Sequence, residues 1–272
     1  MKFLRTGVRI MLTFLVGVYV LLIALAIFSD RLIFQPHPAG YDLETLARAA
    51  PGVQTFRIPC EFGGIAAAYL PNSGARYTLL YSHGNGEDMG DDLPILEEYR
   101  RAGFAVFAYD YNGYGASEGR PSEAAVYRDV EAAFDFLTGT MEVPPERVIA
   151  FGHSLGAAAA IHLAASRPVA GLIAQAPFLS AFRVLTRVQI VPWDKFNNAR
   201  TIGRVHCPVL VAQGRNDEVI PFWHGERIYG LANQPKEHIW LDGAGHNDVM
   251  LVASRPFLAA IQNFAAGLQR GN

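Results

Sequence analysis

The sequence predicts an α/β protein: a mainly parallel sheet of about eight strands, flanked by helices on both faces. Three observations lead there. Apolar strand-like runs alternate with helical patterns from about residue 53 onward. The central runs, such as Tyr77–Ser82, are continuously apolar, as strands buried on both faces are. Four runs end in loops that carry His83, Ser154, Asp217 and His246. Open α/β sheets place their ligands at those carboxyl ends of strands.

Taken in order, the chain begins with Lys2, Arg5 and Arg9, and then carries no charge from Ile10 to Phe28. As a helix that run is about 28 Å long, close to the ~30 Å of a bilayer's hydrocarbon core. Residues 1–30 are therefore expected to be a transmembrane anchor and residues 31–272 the body. The basic flank puts the N-terminus in the cytoplasm and the body outside it. The rival is a cleaved signal peptide, with Ala24-Leu25-Ala26 as the cleavage site, which would make the body a secreted protein. Residues 31–52 are a connector with Pro36, Pro38 and Pro51 and a short helical pattern over Leu43–Ala49. Its Arg31-Leu32-Ile33-Phe34 stretch is apolar enough to lie on the membrane surface or on the body.

Val53–Cys60 and Gly64–Leu70 read as a hairpin split at Phe62-Gly63-Gly64. Strands follow at Tyr77–Ser82, Phe104–Tyr109, Arg147–Phe151, Val169–Ala174, Cys207–Ala212 and His238–Leu241. Helices fall at Asp91–Arg101, from Pro121-Ser122-Glu123 to about Leu137, at Ala157–Ala165 and at Trp223–Leu231. A closing helix runs from Asn247 to Leu268, interrupted near Pro256. Residues 178–203 fit no strand period. They mix Phe178, Leu179, Phe182, Leu185, Val188, Ile190, Val191, Trp193 and Phe196 with charges, and read as a small helical cap over the site.

The chemistry centres on Gly152-His153-Ser154-Leu155-Gly156, a G-x-S-x-G between a strand and a helix. In that setting a tight turn lifts the serine above the sheet at a helix N-terminus. A serine hydroxyl needs a base to take its proton, and the base needs a carboxylate to fix its tautomer. Ser154, Asp217 and His246 follow in that order, each just past a strand. Asp194, Asp242 and Asp248 are the rival acids. Oxyanion donors are expected from the N–H of Leu155 and from the His83-Gly84-Asn85-Gly86 loop, with Asn85 first and Gly86 second. His83 and His153 read as packing or hydrogen-bonding residues, and Asp110 as a turn former. His37, His162, His206, His224 and His238 have no matching context.

The formal net charge of −2 and the lack of a basic run exclude a nucleic-acid partner. No His or carboxylate pair stands at metal-ligand spacing with a third nearby, so neither metal nor cofactor is expected. Cys60 and Cys207 read as small apolar side chains, or as a disulfide if the body faces an oxidising compartment.

Five motifs in order carry a resemblance. They are Ser82-His83-Gly84-Asn85-Gly86-Glu87-Asp88, Tyr109 to Gly119 with Pro121-Ser122-Glu123, Gly152–Gly156, Pro208-Val209-Leu210 with Gly214-x-x-Asp217, and Gly243-Ala244-Gly245-His246-Asn247-Asp248. With Arg31–Pro36, the chain resembles the membrane-anchored α/β-hydrolase domain proteins, relatives of the serine-aminopeptidase-like hydrolases, over roughly residues 31–250. Asn112 departs from the pattern, where arginine or a similar residue is usual. The resemblance implies the α/β-hydrolase fold and serine hydrolysis of a small-molecule acyl ester or thioester, with lipid-like acyl chains in several relatives. A peptidase of the same fold and a non-catalytic, membrane-tethered binding module are the alternatives.

Overall fold

The computed structural model describes residues 2–50, 52–186 and 194–268. One sheet contains eight strands: β1 (Gln54–Ile58), β2 (Ile65–Leu70), β3 (Thr78–Ser82), β4 (Ala105–Tyr109), β5 (Val148–His153), β6 (Gly171–Gln175), β7 (Val209–Gly214) and β8 (Lys236–Leu241). Their spatial order is β1-β2-β4-β3-β5-β6-β7-β8. β2 runs antiparallel to both β1 and β4, and every later pairing is parallel. Each expected strand is present. β8 begins earlier than expected because it is an edge strand. Its half-buried Lys236 and exposed Glu237 pair with Val209 and Leu210 without any apolar signal.

The α-helices among the described residues are α1 (Lys2–Ile27), α2 (Asp30–Ile33), α3 (Leu43–Ala49), α4 (Met89–Arg101), α5 (Glu123–Asp135), α6 (Leu155–Ser166), α7 (Ala181–Thr186), α8 (Asn198–Thr201), α9 (Trp223–Leu231), α10 (Val249–Val252) and α11 (Ser254–Leu268). α4 starts two residues before its expected start. The Asp88 side chain accepts the N–H groups of Gly90 and Asp91 at 2.9 and 3.0 Å and so caps it. Ser122 caps α5 in the same way through Ala125 N–H, at 3.0 Å. The closing segment breaks at Ala253, and Pro256 falls in the first turn of α11, where its missing N–H is not needed.

Two apolar layers hold the sheet. Val126, Val130, Ile161 and Ile228 of α5, α6 and α9 pack on one face. Leu46, Leu96, Tyr99, Phe257 and Ile261 of α3, α4 and α11 pack on the other. β3, β4, β5, β6 and β7 are buried along their whole length. Each large apolar side chain there contributes about 1.5–3 kcal/mol. The buried Ala157–Ala160 run keeps α6 thin, so the helix lies close on β3 and β5.

α1 stands apart from these layers. Its segment Arg5–Leu25 has 21 residues with a mean hydropathy of 2.5 and is unburied, which makes it long and apolar enough to cross a membrane. The chain then folds straight onto the body: Ser29 and Phe34 are buried. Of the expected apolar stretch, Phe34 is buried and Ile33 half-buried on the body, whereas Leu32 is exposed. Within 178–203, α7 and α8 supply the expected helical character. Val188, Ile190, Val191 and Trp193 lie outside the described residues, as does Pro51.

Candidate active site

The turn between β5 and α6 carries the serine. Ser154 has φ 53° and ψ −112°, a strained conformation for a residue with a side chain. Two glycines make the turn possible. A Cβ on Gly152 would lie 1.9 Å from the carbonyl oxygen of Gly156, and one on Gly156 would lie 1.9 Å from that of Ser82. Such contacts exclude any side chain, so β3, the turn and α6 lock together. Leu155 is the first residue of α6, so its N–H has no acceptor within the helix.

The three residues expected to act together do meet. His246 Nδ1 lies 2.8 Å from Asp217 Oδ2, and His246 Nε2 lies 2.9 Å from Ser154 Oγ. An ionised carboxylate only accepts, so Nδ1–H donates to Asp217 and Nε2 is left to accept from the serine. Asp217 is fixed in turn. Its Oδ1 accepts Val219 and Ile220 N–H at 2.9 and 2.7 Å, and its Oδ2 accepts Gln213 Nε2–H at 2.7 Å. All three residues are buried. The rival acids lie elsewhere. Asp194 holds Ser180 and the Phe182 N–H, exposed Asp242 pairs with Arg215, and Asp248 accepts Gly245 N–H inside the histidine loop.

His153 is a hydrogen-bonding residue, as expected, and its partners make it more than packing. Its Nε2 lies 3.2 Å from the His246 carbonyl oxygen and its Nδ1 3.4 Å from Glu87 Oε2. Glu87 Oε2 also accepts Gly84 N–H at 2.7 Å. Burial opposes both charges, but the pairing outweighs it: His153 is raised above its usual value and Glu87 is held down to about 2. A buried ion pair thus ties the loop after β3 to the turn and to the histidine loop. Nearby, burial and then the Glu87 charge push Asp92 well above the carboxylate range.

His83 and Asp110 are structural, as expected. Each is buried; His83 Nδ1–H donates to Gly84 O at 2.8 Å, while Asp110 accepts Met89 and Ala116 N–H and the Tyr41 hydroxyl. Asn112, the departure from the family pattern, is a buried brace bonded to Gly63 O and Glu118 O, both at 3.0 Å. The cysteines are free, in line with their reading as small unbridged side chains, but half-buried rather than buried, and Cys60 Sγ donates to Asp129 Oδ1 at 3.2 Å. Burial pushes the thiols up to about 11 and about 12. One trio of metal-type side chains does meet among the described residues, His37, Asp88 and Asp91, which sequence spacing missed because residue 37 is remote from the others. Both His37 ring nitrogens are engaged, with Pro38 O at 3.1 Å and Asp91 at 2.9 Å, the arrangement of a protonated imidazole. The Pro38 carbonyl, against some burial and with the two carboxylates, raises His37 accordingly.

Above Ser154 lies a cavity of about 400 Å³. Asn85, Leu155 and His246 line its floor, and Phe178, Ala181, Val184 and Phe196 its cap side. A larger hollow of about 850 Å³ sits at the amino ends of the strands, among Tyr77, Pro145, Val169 and Pro208. The smaller cavity is the candidate site because it holds the hydrogen-bonded serine and the carboxyl ends of the strands. Sequence reading missed Gln213, Glu87 and the partners of His153. Gln213 did leave a signal, a polar residue in the apolar run of β7.

The family model for serine aminopeptidase S33 hydrolases (Hydrolase_4) matches residues 73–197. Alpha/beta hydrolase domain-containing protein aho-3 of Caenorhabditis elegans is 41% identical over 201 residues, 72% of this chain, which span 58% of that longer protein. Protein 17B of the same series from Homo sapiens is 38% identical over 213 residues, 77% of this chain and 71% of that protein. Among solved structures, the Pyrococcus furiosus esterase Pf2001 superposes with a TM-score of 0.68 at 17% identity, over 85% of this chain and 95% of the esterase. Mouse alpha/beta hydrolase domain-containing protein 10 gives 0.61 at 19%, over 80% of this chain and 99% of that one. The fold is thus that of the α/β-hydrolases, and the chain belongs to the alpha/beta hydrolase domain-containing protein family.

Proposed function

We propose that this chain is a serine hydrolase that cleaves carboxylic esters or thioesters of acyl groups through an acyl-enzyme. The observation that carries the reading is the unbroken hydrogen-bond chain Asp217–His246–Ser154 beneath an apolar cavity. Ser154 Oγ attacks the acyl carbonyl while His246 Nε2 takes its proton. His246 then returns the proton to the leaving alkoxide or thiolate, and water, activated by the same nitrogen, frees the acid. Asp217 holds the tautomer and stabilises the imidazolium. The N–H groups of Leu155 and Asn85 hold the oxyanion, each worth about 10²–10³ in kcat. The esterase among the structural neighbours supports the reaction class. The α1 helix anchors the enzyme, N-terminus in the cytoplasm and the α/β-hydrolase body, with its small cap, outside it.

A peptidase recognising a free amine needs an uncommitted carboxylate in the cavity. Among the described lining residues Glu87 is the one carboxylate, and His153 and Gly84 occupy it. Labelling with a fluorophosphonate probe tests the reading. Wild type is labelled at Ser154 and hydrolyses p-nitrophenyl esters faster than aminoacyl anilides. Ser154→Ala folds normally and loses both labelling and hydrolysis; a labelled, active Ser154→Ala defeats the proposal.

A further inference from the structure

We infer that the stretch from Ser29 to Gln35, directly after the apolar N-terminal helix, is part of the active site: it positions the oxyanion loop and forms the outer wall of the acyl pocket. This rests on the serine-hydrolase reading above. The first observation is a clamp. The Asn85 side-chain amide spans the backbone of this stretch at two points. Its Nδ2–H donates to Ile33 O at 2.7 Å, and its Oδ1 accepts Gln35 N–H at 3.0 Å. The Tyr114 hydroxyl adds a 2.5 Å bond to the same Oδ1 and lies 3.1 Å from Gln35 N. A residue whose own N–H is to face the oxyanion is thereby fixed from outside the hydrolase sheet, by chain lying a few residues past the anchor.

The second observation is independent. Leu32, Ile33 and Gln35 line the same cavity as Ser154. Leu32 is also 65% exposed, so an apolar side chain sits at the cavity's edge, five residues past the end of α1. Phe34 is buried against Phe196, ring centroids 5.9 Å apart, and Lys195 pairs with Asp30 at 2.5 Å. The stretch is thus joined to the cap on one side and to the oxyanion loop on the other. A helix that ends at Ile27 holds this edge within about 10 Å of the hydrocarbon boundary. The acyl chain lies between Leu32 and the cap, and enters from the membrane side.

The test uses the full-length protein in phosphatidylcholine vesicles. p-Nitrophenyl acetate and laurate are the substrates, and kcat is counted per Ser154 titrated with fluorophosphonate. Asn85→Ala removes the clamp but keeps the Asn85 N–H. Gln35→Pro removes the opposing N–H and leaves Asn85 intact, and the extended Phe34 before it accepts a following proline. Each is expected to lower kcat on acetate by tenfold to a hundredfold, somewhat less than loss of a donor, with KM within about twofold. The double variant should be no worse than the more severe single one, because both break one clamp. Leu32→Ala should lower the laurate-to-acetate ratio of kcat/KM by about fivefold. Wild-type kcat per site in either clamp variant, or losses that multiply in the double, overturns the clamp. An unchanged ratio in Leu32→Ala overturns the wall. Wild type that takes no probe at Ser154 defeats the hydrolase reading itself, whereas labelled wild type with unmoved variants defeats only this inference.

Discussion

The floor and the roof of the cavity are built on opposite plans. In the floor the Asp217, His246 and Asn85 side chains are each held by at least two partners. Asp217 accepts four hydrogen bonds, from Val219, Ile220, Gln213 and His246. Gly152 and Gly156 pack so closely on backbone that a Cβ on either would lie 1.9 Å from a carbonyl oxygen, so the serine turn has no room to shift. In the roof, Phe178, Ala181, Val184 and Phe196 face the cavity with apolar surface. Part of the roof's polar fastening sits at its base, where His224 Nδ1 accepts Leu179 N–H at 3.1 Å and Asn198 Nδ2–H donates to Phe178 O at 3.0 Å. Dispersion contacts have no fixed direction and tolerate substitution, whereas a proton relay needs its atoms within tenths of an ångström. The contrast teaches that the two halves of one cavity are held by different kinds of interaction.

Breaking the floor should therefore cost far more than trimming the roof. The largest effect is expected from Asp217→Asn. The amide can present its NH₂ to the imidazole and favour the wrong tautomer, and kcat should fall about 10⁴-fold with KM little changed. Steady-state kinetics on a p-nitrophenyl ester checks this, and a loss under tenfold would mean the carboxylate is not the orienting group. Next comes Glu87→Gln, which breaks the buried pair with His153 while sparing the triad. It should cost about 2 kcal/mol near pH 6, some 4–8 °C in Tm. The sign of its pH dependence follows from the pair. A raised histidine contributes fully below its unfolded value of about 6.5, and the contribution fades as pH rises through the folded value. A carboxylate held down to about 2 contributes above its ordinary value and loses that as pH falls toward 2. The wild-type advantage over the variant should thus be greatest between about pH 5 and 6.5 and shrink on both sides, as thermal unfolding across pH would reveal. Smallest is Val184→Ala in the roof. It should lower kcat/KM for a laurate ester by about threefold and leave Tm within roughly 2 °C. A change as large as that of Asp217→Asn would erase the distinction between the two halves.

The difference also explains what the sequence reveals. The eight strands are legible because burial on both faces writes continuous apolar runs, and the hydrogen-bonded set Ser154, Asp217 and His246 because its members occupy the ends of those runs in chain order. Supporting bonds leave weaker traces. Glu87 and His153 are 66 residues apart and Asn85 and Ile33 52 apart, with no local period to join them. His224 reads as bland in the sequence because a lone histidine in a helix carries no motif. Burial, and then the Arg183 charge, lower it to about 4, so it stays a neutral acceptor at the base of the cap. The start of α4 was hidden because Asp88 belongs at once to a Gly-rich loop and to a helix cap.

The buried Ser29 and the bonded Ile33 and Gln35 have a practical consequence for the N-terminus. A protease cutting after Ala26 would release a body that still owns the whole of Ser29–Gln35, so cut and uncut forms would share the cavity that Leu32, Ile33 and Gln35 line. Trimming instead at the first proline, Pro36, in search of a tidy water-soluble fragment would discard the residues that hold the Asn85 side chain and line one edge of the cavity.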